Sequence, residues 1–508
     1  MKDDDVIGSK SSGRKKPDIL VVVLDCVRSK SVSPWNPEGI QVPFLHELSD
    51  NATVYTRCLS VASWSLPAHA SLFTGMYPWN HRVFGRGARS LDSRFSTLAE
   101  RLAEAGYRTL SLSANPFISR KTDLTRGFDT AYWGDWASHY MRFLGSEEPP
   151  EGFAPTSPEE RSDIRLQGLG RRMAVGAVNA AHSGFPQIWK WSSMLESRLR
   201  SRSGGGPRLS SPWIEPCLKL WLDSVGGSEP VCCFVNLMDA HEPYLGLPSS
   251  SVDEEYTTKI LLDGLDRGKL DSNRDSELIR ELERRYIESI RMLDNRLRGI
   301  VKIFSSQRDP NSSMTILTSD HGQSFGEGGH LFHGRNTGSQ LLRVPLVVGY
   351  PAHEHAGLVS DSWASLVDIA PTILDSAGLS TDTHFDGISL SGLIQAKREE
   401  PVFAIGDGIT LFREVARTDE VEIAGRDRVT LLGFLDETSV EISQPDWRPE
   451  FRIVTPANEE GSTFREERVI LPIDQTPGSR ILVEQLSSIR RSLGEADEVE
   501  GRLSGWGY

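Results

Sequence analysis

The chain has 508 residues, five cysteines and a formal net charge of −14 at pH 7. This length allows a large core with a smaller attached domain, and the acidic balance argues against a nucleic-acid partner. The odd, scattered cysteines are not the pattern of a disulfide framework, so they favour a reducing compartment and predict a cytoplasmic protein.

The N-terminal part of the chain predicts a leader followed by a buried strand. Residues 1–16 are polar and mixed in charge, so we expect a disordered leader rather than a signal peptide. No run approaches the ~20 apolar residues of a membrane span. The first apolar run, 19–24, precedes Asp25 and predicts a buried strand of a parallel sheet. Ligands bind at the carboxyl end of such strands.

The segment from Ser65 to Gly75 places a hydroxyl group shortly before Pro67. Proline is favoured in the first turn of a helix, which predicts that Ser65 lies at a helix N-terminus. Unpaired N–H groups and the helix dipole favour an anion there. Ser65 is therefore either a plain helix cap or a nucleophile that attacks a bound phosphate or sulfate.

The middle of the chain predicts alternating helices and strands with one insertion. We expect a helix at 96–106, a strand at 108–112 and an insertion at about 145–225. Within the insertion, 165–200 predicts a helical cap over the site, with a membrane-surface segment as the alternative. A long helix is expected at 275–304, because its apolar residues follow helical spacing.

Two more apolar runs end like the first one. The run at 231–238 precedes Asp239 and His241, and the run at 314–319 precedes Asp320 and His321. An aspartate at one strand end is an ordinary turn residue. Three such strand ends, together with a serine at a helix start, favour a metal-assisted transfer site.

In chain order, these segments resemble the sulfatase family of the alkaline phosphatase superfamily, over roughly residues 17–395. The matching segments are Leu24-Asp25 with Arg28, Ser65 to Gly75, Asp239 to Tyr244, Asp320 to Gly322, Phe332 to Gly334, Arg343 to Leu346, Asp368 to Thr372 and Phe385 to Gly387. The resemblance implies an α/β fold with a large central, mostly parallel sheet sandwiched by helices. It also implies a catalytic domain over 17–400 and a small C-terminal α+β subdomain.

The C-terminal region, 401–508, predicts a small β-rich subdomain. Residues 421–471 alternate β-branched and polar side chains, which indicates an antiparallel sheet, and 484–493 predicts a closing helix. The resemblance fades in this region, so its contact with substrate stays open.

The resemblance also implies roles for individual residues. The implied metal ligands are Asp25, Asp320 and His321, holding one divalent ion. An imidazole ligand favours Mn²⁺ or Zn²⁺, with Ca²⁺ and Mg²⁺ as alternatives. The implied catalytic residues are Ser65, His241 and His333. The implied substrate-binding residues are Asn115, His69 and Arg335.

The chain departs from the usual sulfatase pattern at four positions. His69 stands where the formylglycine signal has arginine, so we expect Ser65 to act unmodified. Cys26 stands where a second acidic residue is usual. Asn115 and His333 fall near the positions of the family's lysines. These differences keep two ester types open as substrates.

Three functions are therefore compatible with the sequence. The first is a metal-dependent hydrolase of sulfate esters that forms a covalent intermediate on Ser65. The second is a phosphodiester or phosphomonoester hydrolase, or a phospho-group transferase. The third is a non-catalytic binding protein. The expected substrate is a small anionic ester, either a sulfated or phosphorylated sugar or a lipid headgroup.

Overall fold

The computed structural model describes most of the predicted catalytic region and parts of the C-terminal region. The described residues are 16–84, 90–115, 117–133, 213–242, 244, 276–327, 331–334, 338–381, 385–394, 396, 398, 402–406, 430–435, 438–443, 450–455 and 465–468. The predicted leader, the predicted cap at 165–200 and the predicted helix at 484–493 lie outside these residues, apart from Lys16.

An eight-stranded sheet forms the centre of the molecule. Its strands are β1 (Asp18–Leu24), β2 (Thr53–Leu59), β3 (Arg108–Ser113), β4 (Thr130–Trp133), β5 (Val231–Leu237), β6 (Ser313–Thr318), β9 (Arg343–Gly349) and β10 (Val359–Ser365). The spatial order is β10-β2-β9-β6-β1-β5-β3-β4. Only β9 runs against the other strands of this sheet. The predicted large, mostly parallel sheet is thereby confirmed.

Helices cover both faces of this sheet. They are α1 (Pro43–Asp50), α2 (Ser65–Thr74), α3 (Pro78–His81), α4 (Leu98–Glu104), α5 (Ile214–Val225), α6 (Ser276–Gln307), α7 (Ser339–Leu342) and α8 (Ile369–Ser376). Ile19 and Val21 of β1 belong to the core under α2, α4 and α8. Leu20 and Val22 belong to the core under α1, α5 and α6. Alternate residues of one buried strand thus serve two cores, as strand geometry requires.

The helices largely follow the sequence predictions. The long helix α6 runs from 276 to 307, close to the predicted 275–304, and buries the apolar positions of its core-facing side. Helix α4 begins later than predicted because Thr97 caps it: the Glu100 amide donates to the Thr97 hydroxyl, and the Glu100 carboxylate accepts from the Thr97 amide. Helix α5, within the last part of the predicted insertion, packs on β3 and α6.

Two smaller sheets complete the described structure. Strands β7 (Ser324–Phe325) and β8 (Leu331–Phe332) form a short antiparallel hairpin. A five-stranded antiparallel sheet contains β11 (Val402–Gly406), β12 (Thr430–Leu435), β13 (Thr438–Ser443), β14 (Glu450–Thr455) and β15 (Arg465–Arg468). The antiparallel sheet predicted within 421–471 is confirmed. Among the described residues, no helix has both the length and the apolar character needed to cross a membrane.

Candidate active site

Ser65 is the first residue of α2, as the proline spacing predicts. All ten residues of this helix are buried, and it ends at Gly75 in the left-handed conformation, with φ of 67°. The Gly75 amide donates to the Ser71 carbonyl over 2.8 Å and so closes the helix. The helix therefore holds Ser65 at a fixed place beside the carboxyl edge of the central sheet.

Asp25 follows β1 and lies within reach of Ser65. Its side chain is fully buried, and its Oδ2 atom accepts a hydrogen bond of 2.8 Å from Asn115. The Ser65 hydroxyl lies 3.5 Å from the same oxygen. Burial alone would raise the pKa of Asp25, but the imidazoles of His241, His321 and His69 outweigh it and hold the pKa at about 2. Asp25 is therefore ionised at neutral pH.

Asp320 and His321 follow β6, the strand next to β1. The Nδ1 atom of His321 lies 2.9 Å from the Gly322 carbonyl and donates to it, which leaves Nε2 with a free lone pair. Nε2 lies 3.1 Å from the Ser65 hydroxyl, 3.4 Å from Asp320 Oδ2 and 3.9 Å from Asp25 Oδ1. Burial lowers the pKa of His321, so its neutral form is favoured. The predicted metal ligands are thus gathered around one imidazole nitrogen.

This arrangement fits a divalent cation. The buried Asp320 Oδ2 has no hydrogen-bond partner among the described residues, although it lies close to the lone pair of His321. Two acceptors that face each other without a proton between them are costly when buried. A cation bound by Asp25, Asp320 and His321, with the Ser65 oxygen nearby, would be a partner for both the Asp320 oxygen and the His321 nitrogen.

His69 lies beneath Ser65 in the protein interior. It is fully buried, and its Nδ1 atom donates to the Ser65 carbonyl over 2.9 Å. The same nitrogen lies 3.6 Å from Asp320 Oδ2, and the ring packs against Phe234. These contacts join the serine turn to Asp320, a predicted metal ligand. Direct contact of His69 with substrate stays a prediction, and Arg335 lies outside the described residues.

His241 and His333 lie together beside the Ser65 site. Their ring centroids are 4.8 Å apart, and that of His333 is 4.5 Å from that of His321. Glu242 lies between them, with Oε2 3.5 Å from a ring nitrogen of each. Burial alone would raise the pKa of Glu242, but the two histidines outweigh it and lower that pKa. Burial alone would lower the pKa of His333, but Glu242 and the other nearby carboxylates outweigh it and raise that pKa. Asp239 at the same strand end instead pairs with Arg296.

The structure adds residues to which the sequence analysis gave no role. Glu242 is one, and Gln323 donates to its carboxylate over 2.7 Å. Cys26 is another, since the sequence analysis noted it only as the replacement of an acidic residue. It is fully buried, with Sγ 3.3 Å from Asp25 Oδ1 and 3.7 Å from His333 Nδ1. Their positions directly after Asp25, a predicted metal ligand, and His241, a predicted catalytic residue, were the only available signal.

Comparisons with known proteins agree with the fold described above. A family model described as Sulfatase matches residues 17–379. The chain is 24% identical to the choline-sulfatase of Rhizobium meliloti, over 76% of this chain and 73% of that protein. It is 22% identical to the arylsulfatase of Clostridium perfringens, over 75% of this chain and 79% of that protein.

Among solved structures, the chain resembles the phosphonate monoester hydrolase of Agrobacterium radiobacter. The TM-score is 0.60 at 19% sequence identity, and the match covers 94% of this chain and 96% of that one. This likeness shows a shared fold. With the family model covering more than half of the residues, the chain belongs to the sulfatase family, within the alkaline phosphatase superfamily.

Proposed function

We propose that the protein is a metal-dependent hydrolase of small sulfate esters that uses Ser65 as its nucleophile. The observation that carries the proposal is the position of the Ser65 hydroxyl, 3.1 Å from His321 Nε2 and 3.5 Å from Asp25 Oδ2, at the start of a buried helix. The names of similar proteins, choline-sulfatase and arylsulfatase, support sulfate esters as the substrate class.

Each residue of this site has a defined task in the proposed reaction. Asp25, Asp320 and His321 would hold the divalent ion, which when bound would lower the pKa of the serine hydroxyl and offset charge on the ester oxygens. The N-terminus of α2 directs backbone N–H groups towards the anionic group. Asn115 fixes the Asp25 carboxylate, and His69 fixes the serine turn.

The reaction proceeds in two displacements. Ser65 Oγ attacks the sulfur and gives up its hydroxyl proton to solvent as the new S–O bond forms. The bond to the substrate alcohol breaks as that oxygen takes up a proton. Water then attacks the sulfur of the sulfoserine, which releases sulfate and restores the hydroxyl. His241 and His333 are the predicted sources of the first proton, and this role stays a prediction.

Phosphate or phosphonate esters are the second candidate substrates. An unmodified serine lacks the aldehyde route by which formylglycine expels sulfate, so release depends on water. The fold shared with a phosphonate monoester hydrolase is compatible with phosphorus chemistry at the same site. The five unpaired, buried cysteines support the proposal that the enzyme works in the cytoplasm.

Turnover of matched esters tests the proposal. Aryl sulfate, phosphate monoester, phosphodiester and phosphonate substrates should be compared with Mn²⁺, Zn²⁺, Mg²⁺ and Ca²⁺. Ser65→Ala should lower kcat/KM by on the order of a thousandfold or more, because the nucleophile is lost. Ser71→Ala changes a serine of the same helix that pairs with His81, and it serves as the control for damage to α2.

Mass spectrometry of the Ser65 peptide decides the chemical form of the nucleophile. Unmodified serine, and a sulfated or phosphorylated serine trapped with substrate, are expected. Formylglycine at Ser65 would contradict the proposed mechanism. A protein that binds no divalent metal and is unchanged by Ser65→Ala would instead be a non-catalytic binding protein. Product formed with an added sugar or glycerol in place of water would identify a transferase.

A further inference from the structure

Two aromatic side chains lie beside the Ser65 site. Trp64 is the residue directly before Ser65, and Phe117 lies two residues after Asn115. Their ring centroids are 5.8 Å apart and their planes meet at 83°, so the two rings pack edge to face. We call Trp64 and Phe117 the aromatic pair. The reaction proposed above gives neither residue a task.

Phe117 provides the exposed surface of the aromatic pair. Trp64 is partly buried and packs against the core under α2, whereas 43% of Phe117 is exposed. Phenylalanine is among the residue types most often fully buried in proteins. Of the four large apolar side chains that are exposed in the described parts of the chain, Phe117 is the only aromatic one. An exposed aromatic ring beside a nucleophile is therefore a feature that packing alone does not explain.

Hydrogen bonds fix the position of Phe117 relative to the nucleophile. The Phe117 amide donates to Asn115 Oδ1 over 2.9 Å, and Asn115 Nδ2 donates to Asp25 Oδ2 over 2.8 Å. The Ser65 hydroxyl lies 3.5 Å from the same Asp25 oxygen. One amide side chain thus connects the Phe117 backbone to the carboxylate that faces Ser65.

Trp64 lies against the segment that carries His333. The amide of Gly334, the next residue, donates to the Ser63 carbonyl over 2.8 Å. A Cβ atom at Gly334 would lie 3.8 Å from the Cβ atom of Trp64. The aromatic pair therefore extends from the His333 segment to the turn that carries Asn115, along one side of the Ser65 site.

Phe117 offers its ring, and little else, to a ligand. Its amide is used by Asn115, and its carbonyl accepts from the Thr122 hydroxyl. Sugars also pack on aromatic rings, but their hydroxyl groups then need polar partners nearby, because a polar group buried without a hydrogen bond is costly. An aromatic ring needs only the apolar contact and the edge-to-face geometry that the aromatic pair already shows.

The proposed chemistry brings the alcohol part of the ester to the surface of the protein. In an in-line displacement, the alcohol leaves from the side of the sulfur opposite to Ser65 Oγ. Because Ser65 is buried at the start of α2, the opposite side is the side of the solvent. Phe117 is exposed to that solvent and is tied to the same site.

We propose that the aromatic pair binds the alcohol part of the substrate, and that this part is an aromatic ring. Phe117 contributes most of the contact because its ring is the more exposed of the two, and Trp64 supports it from behind. The inference rests on the proposed function for the position of the ester. Binding of unreactive analogues tests it without turnover.

Calorimetric binding of two sulfonates tests this proposal. Phenylmethanesulfonate has a CH₂ group in place of the ester oxygen of phenyl sulfate, so it cannot be hydrolysed at that bond. Propane-1-sulfonate is the same replacement for ethyl sulfate and has no ring. With saturating Mn²⁺, the full-length protein should bind phenylmethanesulfonate roughly tenfold more tightly, since ring contact and buried apolar area both contribute.

Variants of Phe117 assign this preference to the aromatic pair. Phe117→Ala should weaken binding of phenylmethanesulfonate by roughly tenfold and leave that of propane-1-sulfonate nearly unchanged. Phe117→Tyr keeps the ring and should keep the preference. Leu220→Ala is the matched control, because Leu220 is 40% exposed but lies in α5, on the face of the sheet opposite to α2.

Turnover gives a second measurement with the same variants. Phe117→Ala should lower kcat/KM for phenyl sulfate and not for ethyl sulfate. Each ester is compared with itself in the wild type and the variant, so the different reactivities of the two leaving groups cancel. Glucose 6-sulfate that loses as much kcat/KM as phenyl sulfate would show that the aromatic pair binds a sugar, which would overturn the proposal.

The binding data separate this proposal from the proposed function. No binding of phenylmethanesulfonate, equal affinity for both sulfonates, or an equal loss for both in Phe117→Ala would overturn the inference. If Ser65→Ala destroys turnover while the wild type shows no preference for the ring, the proposed function stands and the inference fails. If the preference depends on Phe117 and no ester is turned over, the aromatic site stands and the proposed function fails.

Discussion

The hydrogen bond from Asn115 to Asp25 is expected to stabilise the metal-free fold. Among the described residues, this bond of 2.8 Å is the shortest polar contact of the buried Asp25 carboxylate. Hydrogen bonds to charged groups contribute about 1.5–3 kcal/mol. The pKa of Asp25, lowered from 3.8 to about 2, corresponds to about 2 kcal/mol from all neighbours net of burial. Three histidines precede Asn115 among those neighbours, so we expect the lower value, about 1.5 kcal/mol.

A double-mutant cycle measures this coupling. Urea unfolding in the presence of a chelator gives the free energy of unfolding of the wild type, Asn115→Ala, Asp25→Asn and the double variant. Asn80 and Asp386 provide the matched control, because the Asn80 amide also donates to a carboxylate, over 2.8 and 2.9 Å, in a partly buried place away from Ser65. Saturating Mn²⁺ should shrink the Asn115→Ala cost and leave the Asn80→Ala cost unchanged.

The reason for this contrast is charge compensation. In the metal-free protein, Asn115 offsets part of the buried charge of Asp25, whereas a bound cation offsets most of it. A coupling energy between Asn115 and Asp25 below roughly 0.5 kcal/mol would lie within ordinary additivity and would refute the reasoning. An Asn115→Ala cost that is the same with and without Mn²⁺ would refute the link to the metal site.

Three further predictions concern the support of the site. Gly75→Ala should lower the thermal unfolding temperature more than Gly378→Ala does. Both glycines have positive φ, but only a Cβ at position 75 would meet a neighbour, the Phe385 ring at 2.5 Å. Equal losses of stability in the two variants would contradict this. Asp294→Ala should lower the free energy of unfolding in urea by about 1–2 kcal/mol, because the Asp294 carboxylate accepts from two amides at the start of α1. An unchanged free energy would show that Asp294 does not stabilise α1. Burial lowers the pKa of His81 from 6.5 to about 3. Below about pH 6.5, His81 therefore binds a proton in the unfolded chain but not in the folded protein. Between about pH 7.5 and 5, the wild type should therefore lose about 2 kcal/mol more stability than His81→Gln, and parallel pH profiles would contradict the assignment.

Much of the fold follows from local patterns in the sequence. The apolar runs before Asp25 and Asp320 are long enough to indicate buried strands, and parallel strands bring their carboxyl ends to one edge. The start of α2 at Ser65 follows from Pro67. The later start of α4 at 98 was also readable, since Thr97 and Glu100 have the spacing of a capping box.

The meeting of Cys26, His241, Glu242 and His333 could not be predicted from local patterns in this way. Cys26 itself, Phe332 just before His333 and Tyr244 two residues after Glu242 adopt positive φ angles of 65°, 65° and 60°. Residues other than glycine seldom adopt this conformation, so the residue types at these positions do not predict it. Cys26 therefore looked like a lost ligand, and Glu242 looked like an ordinary acidic residue between two recognised positions.

The complete burial of α2 has a consequence for how this enzyme can change over time. Ala68 and Ala70 have no exposed surface, and neighbours fill the space on every side of the helix. A larger side chain there must displace packed atoms, so the helix that carries Ser65 offers few neutral substitutions. By contrast, α6 presents Arg284 and Glu288 to solvent and tolerates drift on that face. New substrate preferences should therefore arise by changes in the loops around a nucleophile helix that itself stays nearly constant.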